Sequence, residues 1–366
     1  MRKHHAIVRQ SNQCEIQLVP TPRASHGELV LAPEKVSICG TDIQILRGQR
    51  DDPAPIVGHE GISRVTEVGA GVVGFNVDDR VTINPTHPSN PDFLLGHNVN
   101  GLLQERVLIP KIAVEAGLVS HVPQCLPSAR GTLIEPLAVV TYALECLRLE
   151  EPDSLLILGD GLIGNLAACV APRLFGPRLK TTMVHRSQAG MLWTSQFLGH
   201  VVNARTIAQA ENSLGRRVAV LSATHRAGTV QTISESIEVL GSRLVAAHPI
   251  GGLAAGATSP GLPGVDLHGV RAANTGGSWP PARITFSNAP NSVVLTGNRG
   301  VTNARLEGAA SNLIDSDFGS QADRLITHDV GVEDGLKILN QMIHTGTRTV
   351  GDELVLRLVI DFSSLE

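Results

Sequence analysis

Four candidate zinc-binding residues lie within the first 135 positions of the chain. Cys39 is followed twenty residues later by His59 and Glu60, and a further candidate carboxylate is Glu135. Thiolate, imidazole and carboxylate groups are the ligands that zinc binds in proteins. Three or four protein ligands with one position left for water or substrate are typical of catalytic zinc. The pattern therefore predicts one catalytic Zn²⁺ ion and leaves open whether Glu60 or Glu135 is the third direct ligand.

A glycine-rich turn after an apolar strand predicts a dinucleotide site. Gly159, Gly161 and Gly164 fit the spacing GxGxxG, which combines a tight turn, a close approach to a pyrophosphate and close helix packing. The free N–H groups at the start of the next helix, beginning at Leu162 and Ile163, would hold the phosphates. The alternative is a glycine-rich turn that binds no ligand.

The end of the second strand of this region bears on the choice of cofactor. About twenty residues past Gly164, an NAD enzyme usually carries an acid that binds the ribose 2′-hydroxyl. Here the residues are His185, Arg186 and Ser187, and none of them is acidic. Arg186 could pair with a 2′-phosphate and Ser187 could add a hydrogen bond. We therefore expect NADP(H) to be favoured over NAD(H), unless Arg186 is simply a solvated residue at a strand end.

Two patterns of sequence indicate the elements that must position these residues. From about residue 5 to residue 110, short strands alternate with turns, which predicts a β-rich unit such as a small, partly open barrel. From about residue 155 to residue 296, strands alternate with helices, which predicts βαβ units and a parallel sheet. A helix over Gly331–His344 and a strand over Leu354–Ile360 could rejoin the first unit.

Two further segments carry expectations about local structure. We expect Val77–Val81 to return as a strand after the turn at Gly69–Gly71. Residues 251–292 are rich in Gly, Pro, Ala and Ser. A structureless loop of that length is uncommon unless it is functional, so this stretch is either a functional loop or an irregular surface insertion.

The composition excludes several classes of protein. The chain has 366 residues, 42% of them hydrophobic, which is enough for two folded domains and makes disorder improbable. Aromatic residues make up 3% and the formal net charge is −4, so neither a base-stacking platform nor a basic stripe for nucleic acid is present. The five cysteines have no CxxC spacing, and neither a secretory signal nor a membrane-spanning run is recognisable. We expect a soluble, cytoplasmic protein with reduced thiols that binds neither nucleic acid nor membranes.

The motifs together resemble the zinc-dependent medium-chain dehydrogenase/reductase family, in its polyol, sugar and threonine dehydrogenase branch. They occur in family order and span most of the chain. The motifs are ICGTD (38–42), GHEG (58–61), GAGV (69–72), DDRV (78–81), IEPLA (134–138), GDGLIG (159–164) and LITH (325–328).

This resemblance implies an α/β protein with a GroES-like β-rich catalytic domain and a Rossmann domain with a doubly wound parallel sheet. The catalytic domain would comprise residues 1–148 and 298–366, and the Rossmann domain residues 149–297. The resemblance further implies a homodimer or homotetramer. Arg299 stands where relatives often place an arginine that faces cofactor or substrate.

The resemblance also assigns roles at the metal site. Cys39, His59 and Glu60 match catalytic zinc positions, and Glu135 matches a glutamate that binds the zinc or holds its water. Thr41 matches the hydroxyl that passes the substrate proton toward solvent while hydride moves to the nicotinamide. The implied reaction interconverts a secondary alcohol and a ketone on a polar polyol, sugar, cyclitol or amino-sugar-like substrate.

The chain departs from the family pattern in the loop after Asn84-Pro85 and within the proton relay. Relatives usually have a four-cysteine zinc lobe after that dipeptide, but the loop here contains no cysteine. We therefore predict no structural zinc, and we expect His87 and His97 to be surface loop residues. Gln44 stands where many relatives have a relay histidine, so the relay could end on the cofactor ribose or on water.

Two other functions are compatible with parts of the sequence. A zinc-free NADPH-dependent reductase of the quinone or enoyl type would share the nucleotide-binding half but would not need the three metal-binding residues together. A non-catalytic relative would keep the fold and the nucleotide as a structural or sensing device.

Overall fold

The computed structural model describes residues 2–288 and 291–363, and its elements are numbered in chain order. The strands are β1 Lys3–Arg9, β2 Cys14–Pro20, β3 Leu29–Ser37, β4 Glu60–Val68, β5 Arg80–Ile83, β6 Val107–Ile109, β7 Val119–His121, β8 Ser154–Leu158, β9 Lys180–Val184, β10 Val201–Ala204, β11 Val218–Ser222, β12 Leu244–Pro249, β13 Ile284–Asn288, β14 Asn291–Leu295, β15 His328–Gly331, β16 Thr349–Val350, β17 Glu353–Leu354 and β18 Leu358–Asp361. The α-helices are α1 Gly40–Leu46, α2 Lys111–Glu115, α3 Ser128–Gly131, α4 Ile134–Arg148, α5 Leu162–Phe175, α6 Gln188–Phe197, α7 Ile207–Ala210, α8 Arg226–Leu240, α9 Leu267–Ala272, α10 Asn303–Ile314, α11 Ser316–Asp323 and α12 Val332–Thr345.

The chain folds into two units, of which unit 1 is discontinuous in sequence and unit 2 is continuous. Unit 1 comprises Met1–Pro136 and Asn303–Glu366, and unit 2 comprises Leu137–Thr302. Each has its own apolar core, because the strands of both units carry buried Val, Leu and Ile side chains. No helix among the described residues is both long enough and apolar enough to cross a lipid bilayer.

Unit 1 is built on a mainly antiparallel sheet with the strand order β15-β18-β3-β4-β5-β7, and β6 also pairs with β3. The pairing of β3 with β4 places Ser37 opposite Glu60. Strand β18, from the end of the chain, pairs with β3 on its other side, with Val359 opposite Ser37. The end of β3 and the start of β4 therefore meet at one place, where Cys39 and His59 are joined to the sheet.

Unit 2 is a seven-stranded sheet with the order β10-β9-β8-β11-β12-β14-β13. Its first six strands are parallel, and β13 adds an antiparallel edge by pairing with β14. This is the doubly wound Rossmann order, in which nucleotides bind at the carboxyl ends of the strands where the order reverses. That reversal lies between β8 and β11, and the glycine turn follows β8 directly.

The structure corrects three expectations about local elements. The strand expected at Val77–Val81 begins only at Arg80, because Asp78 lies in a turn with a φ of 72°. The single strand expected at Leu354–Ile360 is two short strands, β17 and β18. Residues 251–292 are not wholly irregular, because they contain α9, β13 and the first part of β14; residues 289 and 290 lie outside the described part.

Candidate functional site

The structure brings three of the predicted zinc-binding residues together. One ligand atom each from Cys39, His59 and Glu60 lies within 4.8 Å of the other two. Cys39 is the N-cap of α1 and its Sγ accepts from the Thr41 N–H at 3.5 Å, while His59 and Glu60 stand at the start of β4. Sulfur, imidazole nitrogen and carboxylate oxygen form a donor set that zinc binds, so these side chains fit that metal.

Asp42 is a buried carboxylate behind this cluster, and the sequence analysis assigned it no role. Its Oδ2 accepts from the Cys39 N–H at 2.9 Å, its Oδ1 accepts from the Gly58 N–H at 3.2 Å, and its Oδ1 lies 3.4 Å from Nδ1 of His59. Burial alone would raise the pKa of Asp42, but the adjacent His59 lowers it. A carboxylate at Nδ1 leaves Nε2 of the histidine for a metal ion.

The electrostatics of the cluster favour a cation. Burial raises the pKa of the Cys39 thiol, and the nearby charge of Glu60 raises it further. Burial opposes protonation of His59, but Asp42 raises the pKa of its ring above the ordinary value. A divalent ion supplies positive charge where a proton otherwise does, and it deprotonates a thiol that it coordinates.

The two glutamates are in different surroundings. Glu60 accepts from Nη1 of the buried Arg357 at 2.5 Å and from Oγ of Ser37 at 3.3 Å. Arg357 also donates to the carbonyl oxygen of Thr132 at 2.6 Å. Glu135 lies against Glu60, and burial together with the charge of Glu60 raises the pKa of Glu135 to about 8. Glu60 thus belongs to the three-residue set and Glu135 lies against it; which one binds the metal stays a prediction.

The residues expected in the proton relay lie on α1. Thr41 is partly buried in the first turn of the helix, two positions after Cys39. The Gln44 side chain donates to the carbonyl oxygen of Gly40 at 3.2 Å, so its amide bonds the backbone of its own helix. Within α1, Thr41 is therefore the hydroxyl that stands beside the cluster.

In the loop that lacks cysteines, His97 is buried and is not the surface residue that was expected. His97 is 6% exposed, and its Nδ1 lies 2.9 Å from Oδ1 of Asp52. Its ring centroid is 5.3 Å from that of His59. His87 is partly buried, and its Nδ1 accepts from the backbone N–H groups of Ser89 and Asn90.

The glycine turn of unit 2 has the shape that a dinucleotide requires. Gly159 has a φ of 116°, and a Cβ there would lie 2.5 Å from the carbonyl oxygen of Ala223. A Cβ on Gly164 would lie 1.9 Å from the carbonyl oxygen of Gly159. Gly161 caps α5 without any side-chain acceptor, so the N–H groups that begin at Leu162 and Ile163 are free for a phosphate.

The side chains at the end of β9 divide into buried and exposed ones. Asp160 is 2% exposed, and its Oδ2 accepts from N and Oγ of Ser187 at 3.2 and 3.1 Å. The buried His185 places Nε2 2.6 Å from Oδ1 of Asn203. Of the three residues expected at the cofactor, only Arg186 is exposed.

A second arginine, which the sequence analysis missed, stands beside Arg186. Arg205 follows β10, and its Nη2 donates to the carbonyl oxygen of Arg186 at 3.3 Å. No Asp or Glu occurs between positions 161 and 210, where five Lys or Arg residues are found. This excess of positive charge could have indicated Arg205 from the sequence. Arg299 is exposed and its backbone pairs with Thr275.

Known proteins resemble this chain in sequence and in fold. The alcohol dehydrogenase GroES-like domain matches residues 25–116. An uncharacterized zinc-type alcohol dehydrogenase-like protein of Haemophilus influenzae is 31% identical over 177 residues, which are 44% of this chain and 50% of that protein. Sorbitol dehydrogenase of Bombyx mori is 26% identical over 198 residues, 50% of this chain and 57% of the relative. The chain thus spans about half the length of these curated relatives.

The likeness in structure extends over nearly the whole chain. Galactitol-1-phosphate dehydrogenase of Escherichia coli superposes with a TM-score of 0.73 at 17% identity, covering 98% of this chain and 99% of that one. At this identity the superposition establishes the fold alone. The chain is thus similar, over about half of its length, to zinc-type alcohol and polyol dehydrogenases, and it shares the fold of a solved polyol dehydrogenase.

Proposed function

We propose that the chain is a zinc-dependent, NADP(H)-linked dehydrogenase that interconverts a secondary alcohol and a ketone. The observation that carries this proposal is the cluster of Cys39, His59 and Glu60, with Asp42 behind the histidine. Residues 1–148 and 298–366 are assigned to the metal and the substrate, and residues 149–297 to the nucleotide. A zinc-free reductase would need none of the three clustered side chains.

The residues of the cluster would have different roles in such a reaction. When bound, zinc supplies a Lewis acid for the alcohol or carbonyl oxygen, and the nicotinamide exchanges hydride with the carbon. Cys39 and His59 would hold the metal together with Glu60 or Glu135, and Asp42, 3.4 Å from Nδ1 of His59, would orient the ring of that ligand. Thr41 is assigned the transfer of the hydroxyl proton, because it is the helix hydroxyl adjacent to Cys39.

The substrate class is proposed to be a polar polyol, sugar, cyclitol or amino-sugar-like alcohol. The names of similar proteins support this class, because one sequence relative is named for sorbitol and one structural neighbour for galactitol 1-phosphate. A panel of polyols and sugar alcohols, read at the nicotinamide absorbance band, tests this class directly.

Removal of a metal ligand tests the proposed chemistry. We expect Cys39→Ala and His59→Ala to lose bound zinc and turnover together, because each removes a donor atom from the cluster. Elemental analysis and the nicotinamide assay measure the two losses, and circular dichroism monitors the fold. Cys125→Ala is the matched control, since Cys125 is an exposed free thiol.

Two outcomes would contradict the zinc-dependent reaction. One is wild-type turnover by a metal-free Cys39→Ala protein. The other is NADPH-dependent reduction of a quinone or an enone that is unaffected by removing zinc, which would support the zinc-free reductase instead.

The preference for NADP(H) is proposed from the charges at the ends of β9 and β10. Arg186 and Arg205 are exposed side by side, and no carboxylate occupies positions 161–210. Ser187 is not assigned to the phosphate, because its hydroxyl already bonds Asp160. Two guanidinium groups suit a 2′-phosphate, whereas a ribose 2′-hydroxyl is usually bound by an acid.

Substitution of either arginine tests this preference. We expect Arg186→Ala or Arg205→Ala to raise the KM for NADPH about 10–100-fold, because a charge-assisted hydrogen bond contributes about 1.5–3 kcal/mol. The KM for NADH should stay unchanged. Arg216→Ala is the control, since Arg216 is exposed in the same unit just before β11. An equal rise in KM for both cofactors would contradict the 2′-phosphate assignment.

The chain is also proposed to form a cytoplasmic homodimer or homotetramer. The family resemblance supports the assembly, and the five free cysteines suit a reducing compartment. Light scattering on the eluted protein measures the assembly, and a monomeric mass at micromolar concentration would contradict it.

A further inference from the structure

We propose that His97 is a positioning residue for the metal ligand His59, and that Asp52 holds it in that role. The proposal rests on the proposed zinc site and concerns residues that the sequence analysis left without function. It also gives a role to the cysteine-free segment of residues 86–101, called the 86–101 loop below.

The 86–101 loop is fastened to the backbone that leads into His59. The carbonyl oxygen of His97 accepts from the Ala54 N–H at 2.8 Å, and the Gly101 N–H donates to the carbonyl oxygen of Ile56 at 2.7 Å. A Cβ on Gly101 would lie 2.2 Å from the carbonyl oxygen of Gly58. The contact is therefore backbone against backbone, directly before the metal ligand.

The His97 side chain is bonded at Nδ1 and lies beside the ring of His59. Asp52 lies 2.9 Å from its Nδ1, and Nε of Arg50 bonds the same carboxylate at 2.7 Å. On the other side, the His97 and His59 rings are 5.3 Å apart and tilted by 41°. Because its imidazole is bonded at Nδ1 and buried, His97 presents a fixed surface to the ring of His59.

His59 consequently has two fixed neighbours, Asp42 at its Nδ1 and His97 at its ring. A ligand whose ring is already held in one orientation loses little freedom when an ion binds, which raises metal affinity. If His97 only filled space in the core, its removal would lower the stability of the fold but would not alter the metal bound to folded protein.

The test measures zinc affinity and metal geometry in the full-length protein. Zinc affinity is obtained by competition with a chromogenic chelator, and the geometry from the visible absorption of the Co²⁺-substituted protein. We expect His97→Ala to weaken zinc binding about 10–100-fold, the usual effect of losing a residue that orients a ligand, and to change the cobalt spectrum. His97→Phe restores a ring without the Asp52 bond and should recover part of the affinity.

Two further variants keep the test decisive. Asp52→Asn leaves His97 in place with a weaker partner and should weaken zinc binding in the same direction, so it carries the test if His97→Ala does not fold. His87→Asn is the control in the same loop, because an asparagine oxygen can accept the two N–H groups that His87 accepts. It should leave both readouts unchanged.

The outcomes separate this proposal from the proposed function. Unchanged zinc affinity and an unchanged cobalt spectrum in folded His97→Ala and Asp52→Asn proteins would overturn the role of His97 while leaving the zinc site intact. A wild-type protein that binds no stoichiometric zinc would instead overturn the proposed function itself.

Discussion

At the residue scale, the Glu60 carboxylate has more partners than metal binding alone requires. Arg357 and Ser37 donate to it, and Glu135 of α4 lies against it. With Arg357 1% exposed and Glu60 3% exposed, this is a buried ion pair. A buried pair is costly to break, because the group left behind keeps a charge without compensation.

Removal of Arg357 should therefore destabilise the fold strongly. We expect Arg357→Met to lower the free energy of unfolding by about 3–5 kcal/mol, measured by urea denaturation. The control Arg64→Met breaks the half-exposed pair of Arg64 with Glu34 and should cost about 0–1 kcal/mol. Adding Glu60→Gln to Arg357→Met should restore part of the loss; equal effects of the two single variants would contradict the buried pair.

Glu135 should make the stability of the metal-free protein depend on pH. Its pKa is about 8 in the fold and ordinarily 4.5, so the folded chain keeps a proton that the unfolded chain releases. The stabilisation that this retained proton gives the folded chain is fully present below about pH 4.5 and is lost as the pH rises through 8.

Glu135→Gln cannot ionise, so its free energy of unfolding should fall less between pH 5 and pH 8 than that of the wild type. Urea denaturation at several pH values measures both proteins after removal of metal. The other titrating groups are common to the two proteins and cancel in the comparison. Parallel pH curves would show that Glu135 is not protonated in the fold.

Sequence patterns predicted the candidate metal ligands, which the structure brings together, but not the residues that support them. Cys39, His59 and Glu60 carry their chemistry in their residue types. Asp42 could have been inferred, since an acid three residues after a helix N-cap commonly bonds the N-cap backbone. Arg357 could not have been inferred, because nothing in the sequence around this arginine indicates a partner 297 positions away.

At the scale of elements, the ends of strands position most of the candidate residues, whereas Thr41 and Glu135 lie on helices. Cys39 follows β3, His59 precedes β4, Gly159 follows β8, and Arg186 and Arg205 follow β9 and β10. Alternation of apolar strands with helices predicted the parallel sheet of unit 2, because that periodicity is local. Sequence patterns mispredicted the start of β5 near Asp78 and the break before β18, because turn geometry and tertiary pairing determine these strand boundaries.

The glycine turn offers a direct test at this scale. Gly164→Ala would place a Cβ 1.9 Å from the carbonyl oxygen of Gly159, so α5 must move away from β8. We expect a destabilisation of about 1–3 kcal/mol from overpacking and a loss of NADPH binding, measured by thermal unfolding and by fluorescence titration. Gly199→Ala in the same unit meets no atom within 4 Å and should change neither. Normal binding by Gly164→Ala would contradict the assignment of this turn.

At the scale of the whole molecule, composition and motif order indicated an α/β protein of two domains, and the structure has two units with the expected sheet types. The content of residues 251–292 was not predictable, because glycine and proline weaken the periodicity on which such predictions depend. The attachment of the 86–101 loop to the rest of unit 1 was not predictable either, because it depends on backbone hydrogen bonds to residues 54–58.

The pairing of β18 with β3, and of Arg357 with Glu60, has a consequence for synthesis on the ribosome. Unit 2 lies wholly within Leu137–Thr302 and is complete in sequence before the last part of unit 1 is translated. Domains generally fold as units while the chain is being made. The first 136 residues cannot complete unit 1 until Arg357 emerges, so the proposed zinc site should form late in the maturation of this protein.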